Sequence, residues 1–223
     1  IQIVPPGVNT GRFYPSAEKD AKLALGFDPD YKILLFVGRI EPLKAIDTII
    51  NALDVIQETQ PHLLMQIRFA IVGGDPCDKN DIEMMRLQTL TQELGLSDVV
   101  LFLGAKDQTE LPLYYAASTV VIMPSDYESF GMVALEAMAS GTPVIASNVG
   151  GLGYLVKDEQ TGYLVPVREP ESIACCIQKM VNDDCCTAEM GRQASNLAKD
   201  YAWDKIADRL LNIFDDIKGK QSV

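Results

Sequence analysis

The chain has 223 residues, 48% hydrophobic and 22% charged, a balance that excludes both a disordered tail and a membrane-embedded bundle. Lysine and arginine number 19 against 31 aspartates and glutamates, for a formal net charge of −12. Such a surface repels a phosphate backbone or an anionic bilayer at long range, which argues against nucleic-acid or membrane-surface binding as the main role; an anionic small ligand would need a basic pocket of its own.

Residues 1–15, with Val4-Pro5-Pro6-Gly7, read as a linker-like lead-in. After it, short β-branched apolar runs predict strands at 33–37, 67–72, 99–103, 119–123 and 143–147. Stretches with helical spacing fall between and after them, at 45–60, 81–94, 108–117, 132–140, 171–183 and 188–199, ending in a tail helix at 203–218. Strand and helix alternate, and the strands are unbroken apolar runs, which implies a parallel sheet covered on both faces. The expectation is one doubly wound α/β domain spanning 1–223. Glycines follow most strands, at Gly38, Gly73-Gly74, Gly104 and Gly150-Gly151. In open α/β sheets the ligand crevice lies beyond the strands' carboxyl ends, so these segments are the first place to look for chemistry.

No apolar run approaches the ~18 residues of a membrane span. The opening Ile1-Gln2-Ile3-Val4-Pro5-Pro6 lacks the basic flank of a signal peptide, and without an initial methionine it reads as a piece of something longer. The five cysteines, Cys77 and the pairs Cys175-Cys176 and Cys185-Cys186, fit a reducing cytosol better than a disulfide framework. A cytoplasmic location is the expectation.

Two segments could carry chemistry. In Phe36-Val37-Gly38-Arg39-Ile40-Glu41-Pro42-Leu43-Lys44, a strand leaves through glycine and offers the planar fork of Arg39 and the point charge of Lys44, a combination suited to a diphosphate. The alternative is that both cations pair with Glu41 or Asp47 at the surface. In Pro124-Ser125-Asp126-Tyr127-Glu128-Ser129-Phe130-Gly131-Met132-Val133-Ala134-Leu135-Glu136, a loop carboxylate precedes a helix that carries another. Small residues leave the first-turn N–H groups of Met132 and Val133 open to an anion, with Glu136 about 6 Å farther along the axis. The alternative is that Glu128 and Glu136 complement the helix dipole or point to solvent.

With the turn Asn148-Val149-Gly150-Gly151, these segments carry a resemblance. The chain resembles the carboxyl-terminal, donor-binding half of retaining glycosyltransferases of the GT-B fold, family 4 or group 1, which includes glycogen and sucrose synthases. The family's glutamate pair, with seven residues between, falls on Glu128 and Glu136, and its glycine-arginine with a lysine five positions on falls on Gly38-Arg39 and Lys44. The similarity runs from about Val4 through Tyr201-Ala202-Trp203. The resemblance implies a Rossmann-like domain binding a nucleotide-sugar donor, a uridine diphosphate sugar, with no metal or cofactor. It implies that Arg39 and Lys44 grip the diphosphate, Glu136 binds ribose hydroxyls and Glu128 the transferred sugar. Phe130, Gly131, Met132 and Val133 would offer backbone N–H groups, the segment Gly104-Ala105-Lys106 would contact the base, and Gly73 would line the cleft. Ala45 departs from the family's usual glycine and would shift the loop without removing a charge. An amino-terminal half supplying acceptor contacts would be missing, so the fragment alone would bind donor and transfer sugar poorly. Ser-Phe-Gly-Met-Val-Ala-Leu-Glu and Asn-Val-Gly-Gly-Leu look most like the inositol-phosphate glycosyltransferases and sucrose-phosphate synthases.

Other signals weigh less. Asp28-Pro29-Asp30 imitates a metal-binding aspartate pair but reads as a proline turn; His62 reads as a surface residue; the cysteine pairs lack zinc spacing. Gly150-Gly151-Leu152-Gly153 follows a late strand and does not match a dinucleotide fingerprint. The apolar stripe at Leu210, Leu211 and Phe214 is most simply the tail helix packing on its own domain, or else it packs on the missing half and leaves an exposed patch. The rival functions are a nucleotide-sugar 2-epimerase and a non-catalytic module of the same fold; intact Glu128, Glu136, Arg39 and Lys44 weigh against both.

Overall fold

A computed structural model describes residues 3–221, the side chains of 219–221 excepted; the first two residues of the lead-in lie outside it. The elements run α1 (Glu18–Ala24), β1 (Lys32–Val37), a 3-10 turn (Pro42–Lys44), α2 (Ile46–Thr59), α3 (Pro61–Leu64), β2 (Ile67–Val72), α4 (Ile82–Glu93), β3 (Val100–Gly104) and α5 (Leu111–Ala116). They continue through β4 (Val120–Met123), α6 (Met132–Ala139), β5 (Val144–Ser147), α7 (Leu152–Leu155), β6 (Gly162–Val165), α8 (Pro170–Asn182), α9 (Asp184–Ala198), a second 3-10 turn (Lys199–Tyr201) and α10 (Trp203–Gln221).

All six strands are parallel, in the order β3-β2-β1-β4-β5-β6. The winding therefore reverses between β1 and β4, where Leu34 pairs with Val120 and Leu35 with Val121. Alternate residues of each strand feed two apolar layers. Leu34, Phe36, Phe69, Ile71 and Ile122 pack with α2 and α8, whereas Ile33, Leu35, Val121, Met123 and Val144 pack with α6 and α9. Burial on both faces explains why the strands read as unbroken runs rather than alternating ones.

The five predicted strands and seven predicted helices all form. Helix α9 starts earlier than its spacing suggests because the Asp183 carboxylate accepts the Cys186 N–H at 2.9 Å and caps it. Short α1, α3 and α7 were not predicted, nor was β6. The lead-in is linker-like only in part: Val8 and Phe13 are buried, the Val8 N–H bonds the Tyr201 carbonyl at 2.8 Å, and the Phe13 ring meets Tyr115 edge-on at 5.9 Å. The tail helix corrects the simpler expectation. Ile206 is buried on the domain, but Leu210, Leu211, Phe214 and Ile217 are 39%, 60%, 55% and 50% exposed, so the far part of α10 presents an apolar face to solvent. Among the described residues no helix is long and apolar enough to cross a membrane.

Strand β6 closes one edge by an unusually near approach. A Cβ at Gly162, where φ is +151°, would stand 1.8 Å from the Val144 carbonyl oxygen of β5. Gly162→Ala is therefore expected to cost about 2–4 kcal/mol in urea denaturation, by strain and by forcing β6 off the sheet. A loss below about 1 kcal/mol would mean that the edge strand can shift outward freely.

Candidate functional site

The site lies at the carboxyl edge, above the gap opened by the reversal of winding. From β1 the chain leaves through Gly38 into the 3-10 turn that ends in Lys44, and from β4 it leaves through Pro124-Ser125 into the loop that carries Glu128. The two segments meet twice. The Asp126 N–H bonds the Leu43 carbonyl at 3.0 Å, and Lys44 Nζ lies 2.8 Å from Glu128 Oε2 in a pair whose side chains are only 18% and 16% exposed. Lys44 thus pairs with Glu128 and not with Asp47, and Glu128 does not point to solvent. Arg39 is different: its guanidinium is 79% exposed and 2.7 Å from Glu41, a surface pairing that leaves it movable.

Glu136 is buried on α6 and accepts a 2.9 Å hydrogen bond from the Tyr115 hydroxyl of α5. Burial raises its carboxyl above the ordinary range, while the Tyr115 hydroxyl and the Arg12 charge oppose that rise. Burial, with the Glu136 charge beside it, also raises the Tyr115 hydroxyl, so it stays a proton donor. Helix α6 starts beyond Gly131, a left-handed N-cap with φ +97° where a Cβ would stand 2.6 Å from Leu152 Cδ2. Its first-turn N–H groups, those of Met132 and Val133 included, have no carbonyl within the helix and face the carboxyl edge.

Backbone packs on backbone around this core. A Cβ at Gly73 would sit 1.8 Å from the Gly38 carbonyl oxygen, the Gly73 N–H bonds the Gly104 carbonyl at 3.0 Å, and the Ala105 N–H bonds the Gly74 carbonyl at 2.7 Å. On the other side the Gly151 N–H bonds the Glu128 carbonyl at 3.0 Å, and a Cβ at Gly151 would meet Phe130 Cα at 2.3 Å. Gly150-Gly151 therefore shapes the Glu128–Phe130 loop. Half-buried Lys106 extends over the Tyr114 ring, its ammonium 6.0 Å from the centroid. A cavity of about 430 Å³ lies elsewhere, at the amino-terminal edge, where the cations Arg192 and Lys199 are occupied by Glu189 and Asn196.

Against known proteins, residues 18–217 match the family described as Glycosyl transferases group 1. The chain belongs to this family. It is 39% identical over 215 residues, 96% of its length, to the D-inositol 3-phosphate glycosyltransferase of Streptomyces avermitilis, and covers 46% of that protein. Sucrose-phosphate synthase from Thermosynechococcus elongatus superposes with a TM-score of 0.86 at 36% identity, over 98% of this chain and 53% of the other. Anabaena HepE, solved in complex with UDP, gives 0.85 at 25% identity, over 96% and 57%. The chain thus spans about half the length of these group 1 relatives, and its six-stranded domain has the Rossmann-like architecture of their GT-B fold.

The structure thus gathers Gly38, Lys44, Gly73, Glu128, Phe130, Gly131, Met132, Val133 and Glu136 along one edge, with Arg39 and Lys106 on its rim. Ala45 takes a left-handed backbone that glycine would adopt at lower cost, with φ 53° and ψ 36°, and is fully buried. Held there, it carries about 1–2 kcal/mol of left-handed strain. Asp28-Pro29-Asp30 forms the expected turn, the Asp30 N–H bonding Asp28 Oδ1 at 3.0 Å. Sequence reasoning did not single out Tyr115, which stands inside a predicted helix, or Asp126 and Arg168, whose partners are far away in sequence.

Because the folded-state carboxyl of Glu136 titrates above its unfolded value, the folded chain holds this proton to higher pH than the unfolded chain. This group's contribution to stability accordingly falls as pH rises from the ordinary glutamate range through the raised value. Glu136→Gln, which keeps an acceptor for Tyr115, is expected to melt higher than the unsubstituted chain at pH 7.5, with the difference closing towards pH 4. A difference that widens on acidification would reverse the assignment.

Proposed function

We propose that the chain is the donor-binding half of a retaining glycosyltransferase that moves a glycosyl group from a uridine diphosphate sugar to an acceptor hydroxyl. One observation carries the reading: at the reversal of winding, a cation from the β1 segment, a carboxylate from the β4 segment and the amino terminus of α6 converge, with a buried carboxylate behind them. A nucleoside diphosphate sugar presents matching groups in one molecule, namely an anionic diphosphate flanked by two hydroxyl-bearing rings. HepE's complex with UDP supports this donor class, and the inositol-phosphate glycosyltransferases and sucrose-phosphate synthase support the reaction.

In this reading Lys44 and Arg39 take the charge of the diphosphate, Met132 and Val133 N–H groups bind its oxygens, Glu136 accepts from ribose hydroxyls and Glu128 from the sugar. The bond from the anomeric carbon to the β-phosphate oxygen breaks, and the acceptor oxygen bonds to the same face. Its proton passes to the departing phosphate oxygen, so neither a protein base nor a metal is required. The cations lower the barrier by holding charge as it develops on the leaving group. A further half supplies the acceptor contacts, and the exposed face of α10 packs on it. The reaction takes place in the cytoplasm.

Calorimetric titration with uridine, guanosine and adenosine diphosphates and their glucose conjugates tests the donor. Uridine diphosphate is expected to bind, and both Arg39→Ala and Glu136→Ala should weaken it at least tenfold. No binding by a folded sample would sink the reading. In the full-length enzyme Arg39→Ala is expected to lose on the order of a hundredfold in turnover, and a loss below about threefold would remove Arg39 from the leaving-group role.

A further inference from the structure

The Lys44 turn and the Glu128 loop are joined by a third segment that the proposed function does not use. Residues 166–169 connect β6 to α8, and within them Arg168 sits at φ +57°, a left-handed backbone that glycine would adopt at lower cost. Its guanidinium is close to saturated. Nε and Nη2 grip Asp126 Oδ1 and Oδ2 at 2.7 and 2.6 Å, Nη2 also bonds the Pro42 carbonyl at 2.8 Å, and Nη1 bonds Asp47 Oδ1 and Oδ2 at 3.0 and 3.2 Å. Pro42 opens the turn that ends in Lys44, Asp47 stands in the first turn of α2, and Asp126 is two residues before Glu128. From α4, Arg86 holds Asp47 from a second direction at 3.1 Å and is itself gripped by Glu83.

We infer that Arg168 is a positioning residue of the donor site, a strut that fixes the Lys44 turn against the Glu128 loop. The inference rests on the donor reading above. A partly exposed ion pair adds little to stability as a rule, but a bidentate fork in a charge network fixes geometry well. Arg168 does not itself face the ligand, since its donors are taken by two carboxylates and a carbonyl. Its spacing role also accounts for a long, charged side chain at a position whose backbone favours glycine.

That backbone supplies a clean variant. Arg168→Gly removes the fork while relieving the left-handed strain, so the chain is expected to stay folded with a melting temperature within a few degrees. Amide exchange reads the strut without any ligand, at Lys44, Ala45 and Asp126, whose N–H groups bond Glu41, Pro42 and Leu43 carbonyls. Exchange there should rise more than tenfold, with the Phe69 amide in the sheet unchanged. Uridine diphosphate should bind about tenfold more weakly, and less than threefold more weakly when Arg168→Gly is made in a Lys44→Ala background, because contacts that act through one another are not additive. Arg168→Lys, lacking the fork, should restore little. Unchanged exchange at the three amides, or an equal loss of affinity in both backgrounds, would overturn the strut. Faster exchange in a chain whose unsubstituted form binds no nucleoside diphosphate would instead overturn the donor reading, and the positioning role with it.

Discussion

Six parallel strands must all end at one edge of the sheet, and their crossovers must turn one way from β1 to β3 and the other way from β4 to β6. Between β1 and β4 the departing segments therefore diverge and leave a crevice that no crossover covers. The groups of the candidate site hang from that geometry. Lys44 arrives from one side, Glu128 and α6 from the other, and the two sides come into register because β1 and β4 pair directly beneath them.

What fills the crevice is largely backbone. Gly73 lies against Gly38, and Gly150 and Gly151 lie against the Glu128–Phe130 loop, at distances that leave no room for a methyl group. Side chains are few, and most of their charges are already matched: Arg39 with Glu41, Lys44 with Glu128, Arg168 with Asp126 and Asp47. In a chain of net charge −12 this pairing is how cations are kept at a site without a broad basic field.

The sheet was legible because burial on both faces writes itself into sequence as unbroken apolar runs. Strand β6 escaped because it opens on glycine, has four residues and leaves Tyr163 and Leu164 half-covered at an edge. The motif residues lie within short segments, Glu128 and Glu136 in one loop and helix, Arg39 and Lys44 in one turn, so the family resemblance could pick them out where spacing alone left a surface role open. Their supports could not be read in this way. Tyr115 reaches Glu136 across 21 residues, Lys44 reaches Glu128 across 84, and Arg168 reaches Asp47 across 121, and no local pattern encodes such partnerships. The tail helix shows the same limit, since its apolar stripe predicts that a face is covered without saying by what.

The Lys44–Glu128 pair also bears on selectivity. A cation that already owns a counter-ion is a poor trap for simple anions, because inorganic phosphate must break a half-buried contact and leaves the carboxylate with nothing to accept. A molecule that brings negative charge to the lysine and a hydroxyl to the glutamate satisfies both groups together. In the proposed donor reading, the contact that turns away abundant small phosphates is the one that readies the crevice for a larger, two-part guest.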